Sequence, residues 1–176
     1  MSSNKFVKEV RYALWWLPDK AYIQLNYFFR FHRFANLRKP VTFNEKINWL
    51  KLYDRNPDYT SLVDKYEVKS IMSKLIGDKY IIPTLGIWEH FDDIDFKSLP
   101  KQFVLKCTHD SEGHVIVKDK DTLDLKAAKT KLEKALKHNF FYVGREWPYK
   151  NVKPRIIAEE YMEDHTDREL RDYKFF

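Results

Sequence analysis

Cysteine is almost absent: Cys107 stands alone among 176 residues. No intramolecular disulfide can brace the chain, which suits a reducing compartment. No apolar run approaches the ~18 residues that a membrane-spanning helix requires. The N-terminal stretch lacks an uninterrupted apolar segment followed by a small-residue cleavage site, so it does not read as a signal peptide. There is no internal repeat and no low-complexity tract. Lys and Arg nowhere cluster densely enough for a nucleic-acid arm. Acidic residues are scarce at one end only: residues 1–40 hold two Asp/Glu against eight Lys/Arg. The rest of the chain is balanced, so the whole net charge of +6 belongs to that segment. The same segment holds ten of the 29 aromatic residues.

What is present suffices for a core, since hydrophobic residues make up 44% of the chain. The leader reads as two short helices broken near Pro18, with Phe6, Val10, Leu14 and Leu17 on one face, and Ile23, Tyr27, Phe31 and Phe34 on another. A basic, aromatic, amphipathic segment of this kind suits an anionic membrane surface; packing on the domain with its charges in water is the plainer alternative. Thr42 and Glu45 form a capping box, so a helix starts near Phe43 with Ile47 and Leu50 on its apolar face. A second helix is expected over residues 60–77, with Leu62, Val68, Ile71, Met72, Leu75 and Ile76 inward and Gly77 as its stop.

The grammar then changes to strands. "YIIPTLGIW" supplies one or two, and "FDDIDFKSLP" a connecting turn. Phe103–Cys107 and His114–Lys118 flank a polar loop. Asp124 caps a helix that buries Leu125, Ala128, Leu132 and Ala135. Residues 141–154, with a glycine and two prolines, read as a loop. "RIIAEEYM" is a strand and "ELRDYKFF" begins another. Helices first and then strands predict an α+β fold. Because the sequence stops at Phe176 inside an expected strand, the chain is expected to be the front part of something longer.

The stretch "FVLKCTHDSEGHVIVKD" concentrates the chemistry. Cys107 and His109 could pair as nucleophile and base, but no third group orients them, and a lone strand-end cysteine is more often a small apolar filler. His109 and His114 lack further zinc ligands. A phosphate-binding reading needs a lysine projecting from a strand beside a short loop whose backbone N–H groups meet an anion. Lys106 is such a lysine, among apolar Phe103, Val104 and Leu105. Thr108, Ser111 and Gly113 supply two hydroxyls and a permissive backbone. A charged residue at a strand end facing water is an equal alternative on these residues alone.

The chain resembles the TupA-like branch of the ATP-grasp superfamily, described for teichuronopeptide and capsular polysaccharide biosynthesis in bacteria and often labelled glycosyltransferase. The resemblance spans residues 39–176 through "PVTFNEKINWLKLYDRNPDYTSLVDKYEVKSI", "IIPTLGIWEHFDDIDFKSLPKQFVLKCTHDSEGHVIVKDK", "YVGREWPYKNVKPRIIAEEYMED" and "LRDYKFF". It implies a basic, aromatic, amphipathic leader over 1–40, a helical pre-ATP-grasp part over 41–100 and a partial ATP-grasp nucleotide-binding domain over 101–176. It implies that Lys106 contacts ATP phosphates, that the loop with Thr108, Ser111 and Gly113 covers them, and that Glu159 meets the adenine amine. Tyr161 and Met162 would add backbone contacts, and Asp172 and Lys174 would serve ribose and phosphate.

The activity implied is ATP-dependent carboxylate–amine ligation on a saccharide or amino-acid-type substrate, with Mg²⁺, in the cytoplasm or at the inner membrane face. A sugar-nucleotide glycosyltransferase and a non-catalytic nucleotide-binding remnant are the alternatives. Two departures bear on this. Asp110 and Glu112 stand where the family's loop has glycines. The superfamily's Mg²⁺ ligands fall on strands beyond Phe176, so no catalytic residue is assigned. Asp93-Ile94-Asp95 resembles a glycosyltransferase metal motif but lies in the connecting turn.

Overall fold

The computed structural model describes residues 2–111 and 113–163, and the side chains from Val7 onward. The elements in order are α1 (Ser2–Ala13), α2 (Asp19–Phe31), α3 (Phe43–Tyr53), α4 (Asp58–Val63), α5 (Glu67–Ile76), β1 (Thr84–Trp88), β2 (Phe103–Cys107), β3 (His114–Val117), α6 (Leu125–Leu136), α7 (Phe141–Gly144) and β4 (Ile156–Glu160), with four short 3-10 turns. The fold is α+β, as the order of patterns predicts. The chain divides into two compact units. The first comprises the residues up to Ile71 together with His138–Lys153. The second comprises Met72–Lys137 and the described residues from Pro154 on, so the division falls within α5.

The first unit is helical. Pro18 separates α1 from α2 and fixes the start of α2. Tyr22, Ile23 and Tyr27 of α2 enter a core with Ala35, Leu37 and Leu52, against which Leu14 and Leu17 pack. The leader is therefore part of the unit's core and not a detached arm. Arg145 follows α7 in the left-handed region, φ 53°. Its side chain is 1% exposed. Its Nη2 donates to the carbonyls of Leu14 at 2.9 Å and Leu17 at 3.1 Å, in the turn that ends α1.

The capping box on α3 is present in both directions, between Thr42 and Glu45. The buried Glu45 carboxylate does more than cap. It also accepts the backbone N–H groups of Asn36 and Val41 and pairs with Arg33 at 2.9 Å. These donors, the Thr42 N–H foremost and then those of Asn36 and Val41 and the Arg33 guanidinium, hold its pKa near about 2 against the opposing effect of burial, down from 4.5. A depressed carboxylate contributes stability that is complete above its unfolded pKa and fades as pH falls through its folded one. The protein should therefore lose this contribution between roughly pH 4.5 and pH 2. Glu45→Gln should be less stable at neutral pH and should flatten that part of the acid-unfolding profile measured by circular dichroism. An unchanged slope would remove Glu45 from the account.

Several expectations are corrected here. The helix foreseen over 60–77 is two helices, because the buried Asp64 carboxylate accepts the N–H groups of Tyr66 and Glu67 and starts α5 afresh. Leu62, Leu75 and Ile76 are exposed, not inward, and Ile47, Leu50, Val10, Phe31 and Phe34 on the other apolar faces are exposed as well. Periodicity shows which residues share a face; it does not show that the face is covered. Residues 141–154 are not only loop: α7 and a 3-10 turn at Trp147–Asn151 lie within them. Leu125 is exposed, and α6 buries Ala128, Leu132 and Ala135.

Among the described residues the second unit forms a four-stranded antiparallel sheet, ordered β1-β4-β2-β3, with α6 on one face. Asp124 caps α6 by accepting the Ala127 N–H at 2.9 Å. Ala128, Leu132 and Ala135 meet Phe103, Leu105, Cys107, Ile156 and Ala158, and Phe91, Ile94 and Leu99 from the connecting segment complete the core. The final strand expected from "ELRDYKFF" lies outside the described residues.

Candidate functional site

Residues directly opposite one another in an antiparallel pair project to the same side of the sheet. Val104 lies opposite Glu159 and Ile116, and Lys106 opposite Ile157 and His114. These six therefore share the face that α6 does not cover. Ile157 and Glu159 are buried there, whereas His114 and Ile116 on the edge strand are exposed. Lys106 sits between the two conditions. Its Nζ lies 2.5 Å from Oε2 of Glu159, with the lysine side chain 32% exposed and the glutamate 6%. The pair is a diagonal neighbour contact across β2 and β4. An ammonium in this position has a buried counter-charge on one side and access to solvent on the other.

The loop after β2 is anchored from both ends. The Cys107 N–H donates to Gly113 O at 2.6 Å, and the Thr108 N–H donates to Arg155 O at 2.9 Å. The Thr108 hydroxyl accepts the Arg155 N–H at 3.3 Å. Thr108, His109 and Asp110 are buried, and Ser111 is exposed. His109 Nε2–H donates to the Ala135 carbonyl at 3.2 Å, and Cys107 Sγ lies 3.8 Å from Leu132 O. Both side chains therefore meet α6, on the side of the sheet away from Lys106.

Gly113 has a different role from the conformational freedom its type suggests. A Cβ there would lie 2.6 Å from Cβ of Ala135 and 2.9 Å from Sγ of Cys107. Close packing of the loop on α6 requires glycine at this position. Asp110, the first of the two carboxylates in the loop, is buried. Glu112 lies outside the described residues.

Beyond β4, Tyr161 is half-buried, with its hydroxyl donating to Glu163 at 3.2 Å, and Met162 is exposed. A hollow of about 670 Å³ opens beside them, lined in part by Leu85, Pro100, Lys101, Glu160 and Tyr161. Asp172 and Lys174 fall outside the described residues. The structure thus brings Lys106 and Glu159 into contact and places Thr108 two residues beyond Lys106, whereas the antiparallel register sets the loop with Ser111 and Gly113 at one end of β2 and Tyr161–Met162 beyond the other. Sequence reasoning missed the Lys106–Glu159 pair and the Thr108–Arg155 link. Period-two alternation places Ile157 with Glu159, but the register that brings them to β2 is not written locally.

Among the described residues no group of three or more His, Cys, Asp or Glu side chains could hold a metal ion. Asp95 of the Asp-x-Asp sequence accepts the Lys97 N–H and so closes its own turn. A family model described as TupA-like ATPgrasp matches residues 45–176. No curated protein and no solved structure gives a significant match.

Proposed function

Since the chain belongs to the TupA-like ATP-grasp family, we propose that it binds ATP through Lys106 and Glu159 and serves ATP-dependent carboxylate–amine ligation in the assembly of bacterial cell-surface polysaccharide. In this reading a carboxylate takes the terminal phosphoryl group of ATP, an amine attacks the resulting acyl phosphate, and an amide, ADP and phosphate are released. The carboxylate and amine belong to saccharide or amino-acid-type substrates. The reaction takes place in the cytoplasm, at the inner face of the membrane. Mg²⁺ accompanies the nucleotide in this family, and no step is drawn through it.

The observation that carries the reading is the position of Lys106: a cation on the sheet face opposite α6, held by a buried carboxylate and open to solvent. Its charge favours developing negative charge on the phosphates. Ser111, at the exposed loop tip, offers a hydroxyl beside them. Glu159 accepts from the adenine amine, and the backbone of Tyr161 and Met162 lines the ring's edge. Asp172 and Lys174 complete the ribose and phosphate contacts. The triphosphate must compete with Glu159 for the ammonium, so nucleotide and ion pair are energetically linked.

Thermal unfolding with and without nucleotide tests this. ATP at ~100 times its dissociation constant should stabilise the chain by ~2.7 kcal/mol. GTP should do less, because its ring carbonyl meets Glu159 where adenine presents an amine. Glu159→Gln should narrow the preference for ATP over GTP by roughly tenfold, since its amide can donate as well as accept. No shift with ATP, or hydrolysis of a sugar nucleotide in place of ATP, would replace this reading with a glycosyltransferase or a silent remnant.

A further inference from the structure

Helix α2 is apolar on two sides. Tyr22, Ile23 and Tyr27 point into the core of the first unit. At the helical advance of ~100° per residue, Ala21, Leu25, Phe28 and Phe29 fall on the outward side. All four are exposed, Phe29 to 72%. Phe34, just beyond the helix, stacks on Phe28 with ring centroids 5.1 Å apart and is itself 66% exposed. Trp15 and Trp16, in the turn leading into the helix, are exposed as well. The outward face of a helix on a globular unit is ordinarily polar, and here it is aromatic.

The exposed charges of this helix and of the segment after it carry one sign. Lys20, Arg30, Arg38 and Lys39 are exposed. Asp19 is the single acidic residue from Leu14 to Pro40, and it is engaged by Arg55 at 3.3 Å and Arg145 at 3.5 Å. The nearest buried acid beyond, Glu45, is held by Arg33.

We propose that the outward face of α2, with Trp15, Trp16 and Phe34 at its ends, docks on the surface of an anionic lipid bilayer. Aromatic rings flanked by Lys and Arg suit the headgroup–acyl boundary, where the rings enter apolar surroundings and the cations meet lipid phosphates. A second copy of the chain would instead bring two sets of like charges together. Among the described residues no helix is long and apolar enough to cross a membrane. The opposite side of this 13-residue helix is built into protein, so the contact lies along the surface. No residue of this face belongs to the nucleotide site, so the inference is tested independently of the ligase reading.

Sedimentation of the full chain with vesicles decides it. Vesicles with about one-third phosphatidylserine should bind the chain roughly tenfold better than phosphatidylcholine alone, and raising salt from ~0.1 M to ~1 M should remove the difference. Phe28→Ser with Phe29→Ser should lower partition roughly tenfold on both lipids. Arg30→Gln, Arg38→Gln and Lys39→Gln together should lower binding on anionic vesicles and leave zwitterionic binding unchanged. These side chains are exposed, and an unchanged unfolding midpoint confirms that the fold is intact. Truncation of the leader would not serve, because it removes Tyr22, Ile23 and Tyr27 from the core. Equal pelleting of the Phe28/Phe29 variant, or no pelleting of the unmodified chain on either lipid, overturns the proposal. A dimer in light scattering that dissociates on the phenylalanine substitutions, without vesicle binding, assigns the face to a second copy instead.

Discussion

Arg145→Met is expected to lower the stability of the helical unit by at least about 3 kcal/mol, the largest single loss the structure predicts. Methionine keeps much of the volume and none of the donors. The guanidinium lies 4.4 Å from the ring centre of Tyr22 and 5.3 Å from those of Phe141 and Tyr142. It donates to the carbonyls of Leu14, Trp15 and Leu17 and faces the Asp19 carboxylate at 3.5 Å. The Tyr22 hydroxyl in turn donates to Val143 O at 2.8 Å, so the residues before Arg145 are tied to α2 independently of it. Removing the arginine strands several carbonyl groups at the end of α1 and leaves Asp19 with Arg55 alone. Arg145→Lys should recover less than half of the loss, because an ammonium cannot reproduce the planar fork or its stacking on Tyr22. Urea unfolding followed by circular dichroism measures both. A change below about 1 kcal/mol for Arg145→Met would mean that the carbonyls find water without cost.

Lys106→Met should destabilise the sheet unit by about 2 kcal/mol. The sequence alone suggests the reverse, that a lysine half-buried among Val104 and Leu105 is a burden and its removal neutral or favourable. The structure gives that lysine a partner, Glu159, which is more deeply buried than the lysine itself. Loss of the ammonium leaves a carboxylate in low-dielectric surroundings. Because Lys106 is one-third exposed, the loss falls below the full range for a buried pair. Glu159→Gln should cost less, since the lysine can turn to water. The double variant should be more stable than Lys106→Met alone, giving a coupling of roughly 1–2 kcal/mol in a double-mutant cycle. The same cycle read in saturating ATP should show smaller coupling, because phosphate oxygens then share the ammonium. Strict additivity without nucleotide would show that the two charges do not interact in solution.

The sequence makes local features legible and long-range ones opaque, for physical reasons. Thr42 with Glu45 and Asp124 before α6 are caps whose partners lie three residues away, so their meaning is contained in the motif. The strands carrying Lys106 and Glu159 are likewise visible from apolar alternation. Their adjacency is not, because β4 enters the sheet between β1 and β2, strands that precede it in the chain. Asp64 inside an apolar run is a cap that periodicity reads through. Arg145 looks like one more surface cation. Only the tertiary structure surrounds it with carbonyls and rings. Gly113 is legible as a special position, but for the wrong reason, since close approach of Ala135 and Cys107 sets the requirement.

The division into two units has a consequence for how the chain folds as it is made. The carbonyls of Leu14, Trp15 and Leu17 wait for an arginine that lies 128 to 131 residues further on. At ribosomal rates that interval is on the order of 10 s. The sheet waits about half as long, since β1 and β2 have β4 between them and cannot close until Ile156–Glu160 emerges. Both units thus draw on one late stretch of chain, the residues from His138 to Glu160. Until then α2 has no Arg145 beneath Tyr22, and two strand edges stand open. The nascent chain carries Tyr22, Ile23 and Tyr27 through this interval before the core that buries them is complete, which leaves that apolar surface open to association with other chains.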